Sequence, residues 1–168
     1  MTQDAGTTQD AGTTQDAGTS DWDGETQAVV NHVGHCVTDL ERSRRFYQEL
    51  FGFELVRELK VPDQPSDRLL QVDAPLGLSA VYLRKDSFVL ELLHFDREGN
   101  PTARKRAMNE PGLTHISFSV EDVHDVAARA GRLGGTVLED TDVGAAIFVR
   151  DPDGQLIELL PMAYRKSL

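Results

Sequence analysis

An internal repeat constrains the fold of this chain more than any other feature of its sequence. Two segments share one order of runs: an apolar strand, an amphipathic helix and three further strands. The first segment begins VVNHVGHCV and ends FVLELLHF, and the second begins LTHISFSV and ends QLIELLP. The copies are in register, because His32 precedes Asp39 by seven residues and His115 precedes Asp122 by seven. The repeat predicts an α+β fold of two βαβββ modules that form a cupped mixed sheet.

The repeat also predicts how the chain is divided. We expect the first module at residues 28–95, a polar connector at residues 96–111 and the second module at residues 112–168. Residues 1–27 hold three copies of TQDAGT, six acids and no base, which predicts a flexible acidic tail. Without those six acids, the 28 acids and 17 bases of the chain leave a formal charge of −5. Such a mildly acidic domain is not expected to bind nucleic acid.

The number of cysteines and the hydropathy of the sequence indicate the cellular compartment of the protein. The single cysteine, Cys36, excludes an internal disulfide. The sequence has no apolar run of membrane-spanning length and no charged-then-apolar leader at its start. We therefore expect a cytoplasmic protein without a membrane partner.

Local signals mark the helix and the turns of the first module. Thr38 and Glu41 have the spacing of a capping box, which predicts that a helix begins at Thr38, and Gly52 suits the residue that ends it. The Pro- and Asp-rich stretch at residues 62–76 is predicted to separate two strands. In the second module, DPDG at residues 151–154 predicts a turn before the last strand.

Alternation along the strands places polar side chains on the sheet face that points away from the helices. In LTHISFSV, His115, Ser117 and Ser119 share that face, because the apolar residues between them must contact the helices. The same count puts Cys36 on this face with His32, although a free cysteine more often packs as a small buried hydrophobe, which is the interpretation we favour for Cys36. We expect these faces to line a cup.

Each module ends in an apolar strand with one acid in its middle, Glu91 in the first and Glu158 in the second. Register places both carboxylates on the cup face with His32 and His115. Taken singly, each histidine could be a hydrogen-bonded core residue and each glutamate the partner of an arginine. Two imidazoles and two carboxylates in register are instead the donors that a transition metal accepts, whereas Ca²⁺ and Mg²⁺ prefer oxygen. The pattern predicts one divalent ion, Zn²⁺, Ni²⁺, Co²⁺, Mn²⁺ or Fe²⁺.

Four motifs together resemble the vicinal oxygen chelate superfamily: HVGHCVTDLERSRRFYQELFGFEL, FVLELLHF, GLTHISFSVEDV and VRDPDGQLIELLP. The superfamily includes glyoxalase I, methylmalonyl-CoA epimerase, extradiol dioxygenases, fosfomycin-resistance transferases and bleomycin-binding proteins. The ligand set of glyoxalase I falls here on His32, Glu91, His115 and Glu158. The resemblance implies a homodimeric lyase or isomerase that transfers a proton through an enediolate. Glu158 is then the principal base, and Glu91 the group able to return the proton.

At several positions this chain departs from the residue patterns of individual families in the superfamily, and each departure disfavours the activity of that family. Glyoxalases that act on glutathione adducts carry an arginine and an asparagine where this chain has Cys36 and Phe95, so glutathione is not the expected cosubstrate. Glu91 fills the position that extradiol dioxygenases keep free of glutamate, which disfavours ring cleavage. The final hairpin lacks the Gly-Gly and His-Pro of methylmalonyl-CoA epimerases, although the ligand set permits that activity.

The sequence leaves two further alternatives to a glyoxalase-type enzyme acting on a small carbonyl or thiol-adduct substrate. One is an acyl-CoA epimerase, and the other is a protein that binds an antibiotic or another apolar ligand without chemistry. In each case we expect a small molecule to contact Cys36, Phe95, Ser117 and Ser119. His35 is predicted to be a hydrogen-bonded core residue on the helix side, and His94 and His124 are predicted to be surface residues.

Overall fold

The computed structural model describes residues 28–101, 104 and 106–167. The predicted flexible tail at residues 1–27 therefore lies outside the described residues. The described residues from Asn31 onward form one compact unit, and every element below belongs to it. Its strands and helices are, in chain order, β1 (Val33–Cys36), α1 (Leu40–Phe51), β2 (Glu54–Lys60), α2 (Asp63–Leu70), β3 (Leu78–Lys85), β4 (Phe88–Phe95), β5 (Ile116–Val120), α3 (Val123–Arg132), β6 (Thr136–Leu138), β7 (Ile147–Arg150) and β8 (Leu156–Pro161).

The strands form two mixed four-stranded sheets with the same topology. Sheet 1 has the order β1-β4-β3-β2, and sheet 2 has the order β5-β8-β7-β6. In each sheet the first strand is parallel to the last strand of its module, and the other neighbours are antiparallel. The predicted α+β fold of two repeated strand-and-helix units is confirmed.

The helix boundaries follow local chemistry, with one correction. Asp39 caps α1 by accepting a hydrogen bond from the Arg42 backbone, so the prediction of a capping box at Thr38 was wrong. Thr38 is engaged elsewhere, because its backbone N–H and hydroxyl both donate to Asp153. Gly52 ends α1 in the left-handed conformation with φ 71°, as the sequence predicts.

The stretch between β2 and β3 contains a helix that the sequence pattern does not reveal. Helix α2 occupies Asp63–Leu70 and is interrupted by non-helical backbone at Gln64 and Pro65. None of its residues is buried, so it has no apolar stripe for a periodicity argument to detect.

One hydrophobic core lies between the modules and is shared by both sheets and both long helices. Leu90 and Leu92 of sheet 1 and Ile157 and Leu159 of sheet 2 are fully buried in it. Phe51 of α1 stacks on Phe118 of β5 with ring centroids 4.0 Å apart. Because both sheets turn their apolar faces to this core, their opposite faces point away from it.

The predicted DPDG turn after β7 contacts the first module through Asp151, which is 2% exposed. The carboxylate accepts hydrogen bonds from the Tyr47 hydroxyl at 3.0 Å and from the backbone N–H groups of Asp153 and Gln155. His35 Nε2 lies 2.8 Å from the same carboxylate. Buried donors thus converge on one acid that joins the two modules.

Asp153 forms the other half of this contact. Its carboxylate accepts from the Ser43 hydroxyl at 2.7 Å and from Arg42 at 3.0 Å, in addition to Thr38. Burial acts to raise the pKa of Asp153, but the hydrogen bonds from Thr38 and Ser43 and the charge of Arg42 outweigh it, so the pKa is lowered. Asp153 therefore stays ionised and keeps its partners.

Replacing Asp151 with alanine is expected to lower the free energy of unfolding by about 2 to 4 kcal/mol, because several buried donors lose their acceptor. Chemical denaturation measures the loss. The matched control is Asp140→Ala, which removes an exposed carboxylate and is expected to change stability by less than about 0.5 kcal/mol. Equal stability of the two variants would contradict a structural role for the Asp151 contacts.

Candidate metal centre

The structure brings His32 and Glu91 together on the outer face of sheet 1. His32 immediately precedes β1, and Glu91 lies in the middle of β4, the parallel neighbour of β1. His32 Nε2 is 3.0 Å from Glu91 Oε2, and the side chains are 33% and 12% exposed. Two of the four predicted ligands are therefore in direct contact in the folded chain.

The second module repeats this arrangement with His115 and Glu158. His115 immediately precedes β5, and Glu158 lies in β8, the parallel neighbour of β5. His115 Nε2 is 3.5 Å from Glu158 Oε2, and the side chains are 29% and 24% exposed. This pair is more open than the first.

The chain does not bring the two pairs into one cluster. Among residues 28–101, 104 and 106–167, no group of three or more His, Cys, Asp and Glu side chains is placed to hold a metal ion. The packing of the modules keeps the two pairs apart, because the sheets share a core on one side and carry the His–Glu pairs on the other. Each pair is at most half of the predicted four-residue site.

The hydrogen bonds of the histidines fit a metal ion. His32 Nδ1 lies 2.7 Å from Asn31 Oδ1, and its Nε2 faces Glu91, so both ring nitrogens face acceptors. This arrangement is satisfied by an imidazolium, or by a neutral imidazole whose Nδ1–H donates and whose Nε2 binds a cation. His115 is held similarly, with Nδ1 at 2.9 Å from the Thr114 hydroxyl. The residue before each histidine thus orients its ring.

Each glutamate also accepts one hydroxyl hydrogen bond. The Tyr82 hydroxyl donates to Glu91 Oε1, and the Ser117 hydroxyl donates to Glu158 Oε2 at 2.7 Å. The bond to Glu91, with burial and the negative charge of Glu91, raises the pKa of Tyr82 to about 12, although Arg57 acts in the opposite direction. Tyr82 therefore remains a donor at any physiological pH.

The residues predicted to contact substrate occupy different environments. Ser117 is exposed and bonded to Glu158, whereas Ser119 and Phe95 are half-buried. Cys36 is exposed, which corrects the interpretation of this residue as a small buried hydrophobe. Partial burial and the charge of Asp153 raise the pKa of Cys36, which makes the thiol a poor nucleophile at neutral pH.

The other histidines lie outside the two pairs. His35 is on the helix side of β1 and contacts Asp151, as predicted. His124 is on the surface, 57% exposed, and pairs with Asp142. His94 is half-buried with Nδ1 3.2 Å from the Val37 carbonyl, so its prediction as a surface residue was wrong.

Sequence reasoning missed Tyr82, Asn31 and Thr114. The asparagine and the threonine could have been found, because each directly precedes a histidine that the repeat singles out. The contact of Tyr82 with Glu91 could not have been found in this way, because it depends on the register of β3 against β4, in which the two residues are partners.

In the described part of the chain, no helix is long and apolar enough to cross a membrane.

The sequence model of the Glyoxalase/Bleomycin resistance protein/Dioxygenase superfamily matches residues 29–159. A lactoylglutathione lyase of Neisseria meningitidis is 33% identical over 129 residues, covering 74% of this chain and 83% of that protein. An ethylmalonyl-CoA/methylmalonyl-CoA epimerase of Cereibacter sphaeroides is 29% identical over 139 residues, covering 77% of this chain and 95% of the relative.

Further similar proteins include one relative much longer than this chain and two solved structures. A lactoylglutathione lyase of Arabidopsis thaliana is 28% identical over 83% of this chain, which spans only 46% of that relative. The trypanothione-dependent glyoxalase I of Leishmania major is 27% identical, with a TM-score of 0.59 over 81% of this chain and 88% of that structure. The fosfomycin resistance protein FosX of Listeria monocytogenes is 19% identical, with a TM-score of 0.57 over 84% and 98%, a likeness of fold.

Proposed function

Because this chain belongs to the Glyoxalase/Bleomycin resistance protein/Dioxygenase superfamily, we propose that it is a metal-dependent lyase or isomerase of glyoxalase type. Its substrate is a small carbonyl compound or a thiol adduct of one. The observation that carries the proposal is the repeated His–Glu pair, because a pair of this kind stands at the same place in both sheets. Both pairs are partly exposed on the outer faces of the sheets, apart from the buried contacts that Asp151 makes between the modules.

The site is completed by a second copy of the chain. A homodimer that apposes sheet 1 of one chain with sheet 2 of the other would bring His32 and Glu91 against the partner's His115 and the partner's Glu158. The outer faces of both sheets are available for this contact, because their apolar faces are already buried in the shared core. The dimer then contains two equivalent sites, each bound by two imidazoles and two carboxylates.

A divalent ion held by these four residues would draw electron density from the substrate oxygens and so acidify the carbon beside the carbonyl. The Glu158 carboxylate takes the proton from that carbon, and the electron pair of the broken C–H bond moves toward the carbonyl oxygen. The same carboxyl group, or Glu91 on the other side, returns the proton. The side chains proposed to contact the substrate are Cys36, Phe95, Ser117 and Ser119, which strand alternation assigns to the same faces as the four ligands.

Two other functions fit the same site. An acyl-CoA epimerase uses the same proton transfer, and the Cereibacter sphaeroides relative favours this candidate. A protein that only binds an apolar ligand would not need a duplicated set of ligands. The ligands therefore favour an enzyme over a binding protein.

One experiment tests the proposed function. Purified protein should hold about one transition-metal ion per chain after reconstitution with Zn²⁺, Ni²⁺, Co²⁺, Mn²⁺ or Fe²⁺ and removal of excess ion. It should then catalyse exchange of solvent deuterium into an α-hydroxycarbonyl, a hemithioacetal or an acyl-CoA, followed by NMR. The compound class that exchanges identifies the activity. Metal binding without exchange in any class would refute the enzyme and favour the binding protein.

A further inference from the structure

The two glutamates of the proposed site are held differently, although their strands are equivalent. In sheet 1, Glu91 has Gly34 of β1 on one side and Tyr82 of β3 on the other. In sheet 2, the corresponding neighbours of Glu158 are Ser117 of β5 and Phe148 of β7. Each glutamate therefore meets one hydroxyl group, but from opposite sides.

The difference decides which carboxylate is free to move. Both oxygens of Glu91 are engaged, Oε1 by the Tyr82 hydroxyl and Oε2 by His32 at 3.0 Å. Glu158 uses Oε2 for both of its contacts, with Ser117 and His115. Its Oε1 has no hydrogen-bond partner among the residues that the structure describes. Glu158 is also more exposed than Glu91, at 24% against 12%.

The aromatic rings themselves do not differ in this way. The Tyr82 ring packs edge-on against His32 at 5.5 Å between ring centroids, and the Phe148 ring packs edge-on against His115 at 5.6 Å. The hydroxyl group of Tyr82 is thus what sheet 1 has and sheet 2 lacks. An exchange between tyrosine and phenylalanine at either position changes the hydrogen bond and keeps the ring.

We propose that Tyr82 is a positioning residue, which fixes Glu91 as a permanent metal ligand, so that Glu158 rather than Glu91 both removes and returns the proton. This inference rests on the proposed function. The hydroxyl of Tyr82 stabilises the Glu91 carboxylate in its ligand orientation before the ion arrives. Among the residues that the structure describes, no hydroxyl contacts the other oxygen of Glu158, so this side chain can turn toward the substrate while Ser117 still donates to Oε2.

Metal affinity provides a readout that does not depend on activity. Tyr82→Phe is expected to raise the dissociation constant for Zn²⁺ by about 10-fold, within the range for lost hydrogen bonds to a ligand, without changing the melting temperature. Competition with a chromophoric chelator measures the constant. The matched control is Tyr47→Phe, whose hydroxyl contacts Asp151 on the core side of the fold. Its loss should lower the melting temperature by a few degrees and leave the zinc affinity unchanged.

Two added hydroxyl groups also test this inference. A Cβ at Gly34 would lie 3.7 Å from Glu91 Oε2 without a clash, so Gly34→Ser is able to supply a hydroxyl where Ser117 does. Added to Tyr82→Phe, it gives Glu91 the Oε2 hydrogen bond that Glu158 has, and it should not recover the lost zinc affinity, because Oε1 still lacks its donor. Phe148→Tyr places a phenol beside Glu158. It should retain zinc affinity but slow deuterium exchange by about 10-fold, with kcat lowered more than KM is changed.

The outcomes separate this inference from the proposed function. Wild-type protein that binds no transition metal would overturn both. Wild-type protein that binds zinc, with Tyr82→Phe within twofold of its affinity, would overturn the role of Tyr82 alone. If zinc binds but no compound exchanges deuterium, the proposed enzyme fails, and the affinities of the Tyr82→Phe and Gly34→Ser variants still decide whether Tyr82 fixes Glu91.

Discussion

A heterodimer of one His32→Ala chain and one His115→Ala chain is expected to hold about half as much metal as the wild-type dimer. The homodimer of either variant alone is expected to hold almost none. The expectation follows from the proposed site, in which the first-module ligands of one chain meet the second-module ligands of the other. One of the two sites in the heterodimer then lacks both histidines. The other site combines the intact halves of the two chains and keeps all four ligands.

The measurement uses chains carrying two different affinity tags, coexpressed and purified in tandem so that only heterodimers remain. Each histidine removed from a site should weaken metal binding by more than about 100-fold, above the range for residues that merely support a ligand. Metal is therefore loaded at a concentration about tenfold above the dissociation constant of the wild type. At that concentration, elemental analysis counts only the intact sites.

A second heterodimer supplies the control. When one chain carries His32→Ala and the other Glu91→Gln, both substitutions lie in the first module, and each site loses one ligand. This heterodimer should not recover metal to the extent of the first. A site closed within one chain would recover no metal in either heterodimer, and failure to isolate any two-tag species would refute the homodimer itself.

The architecture was predictable from the sequence because the repeat and the strand alternation are both local. Strand alternation with a period of two assigns His32, Glu91, His115 and Glu158 to the faces that the structure gives them. Relations between distant segments were not predictable. The cap of α1 shows this, because Thr38 bonds to Asp153, 115 residues away, and leaves Asp39 to cap the helix.

The same distinction explains what was missed at the site. Strand alternation predicts that the two His–Glu pairs point away from the helices. It does not predict which faces of the two modules pack against each other. Stacking of Phe51 on Phe118 and burial of Asp151 join the modules through their helix sides, which separates the pairs within one chain. The run LSAVYLRK contains apolar residues on both faces, so its sequence does not indicate that Tyr82 faces Glu91.

Glu158→Gln is expected to abolish most of the catalysed exchange of solvent deuterium while the protein still binds metal. Glutamine keeps the size of the side chain and an oxygen that can bind the ion, but it cannot take up a proton from carbon. Loss of a general base typically lowers the rate by about 10²- to 10⁴-fold. The exchange rate should be measured at saturating metal, with bound metal quantified in the same samples.

Glu91→Gln is the matched control, because it makes the same chemical change in the equivalent strand of the other sheet. Tyr82 and His32 engage both oxygens of Glu91, so this substitution should weaken metal binding more than it slows exchange at saturating metal. Glu158, with one carboxylate oxygen uncommitted among the described residues and a longer 3.5 Å contact to His115, should show the reverse pattern. A metal-replete Glu158→Gln variant that exchanges deuterium at the wild-type rate would exclude Glu158 as the base. Slow exchange in Glu91→Gln instead would transfer that role to the first module.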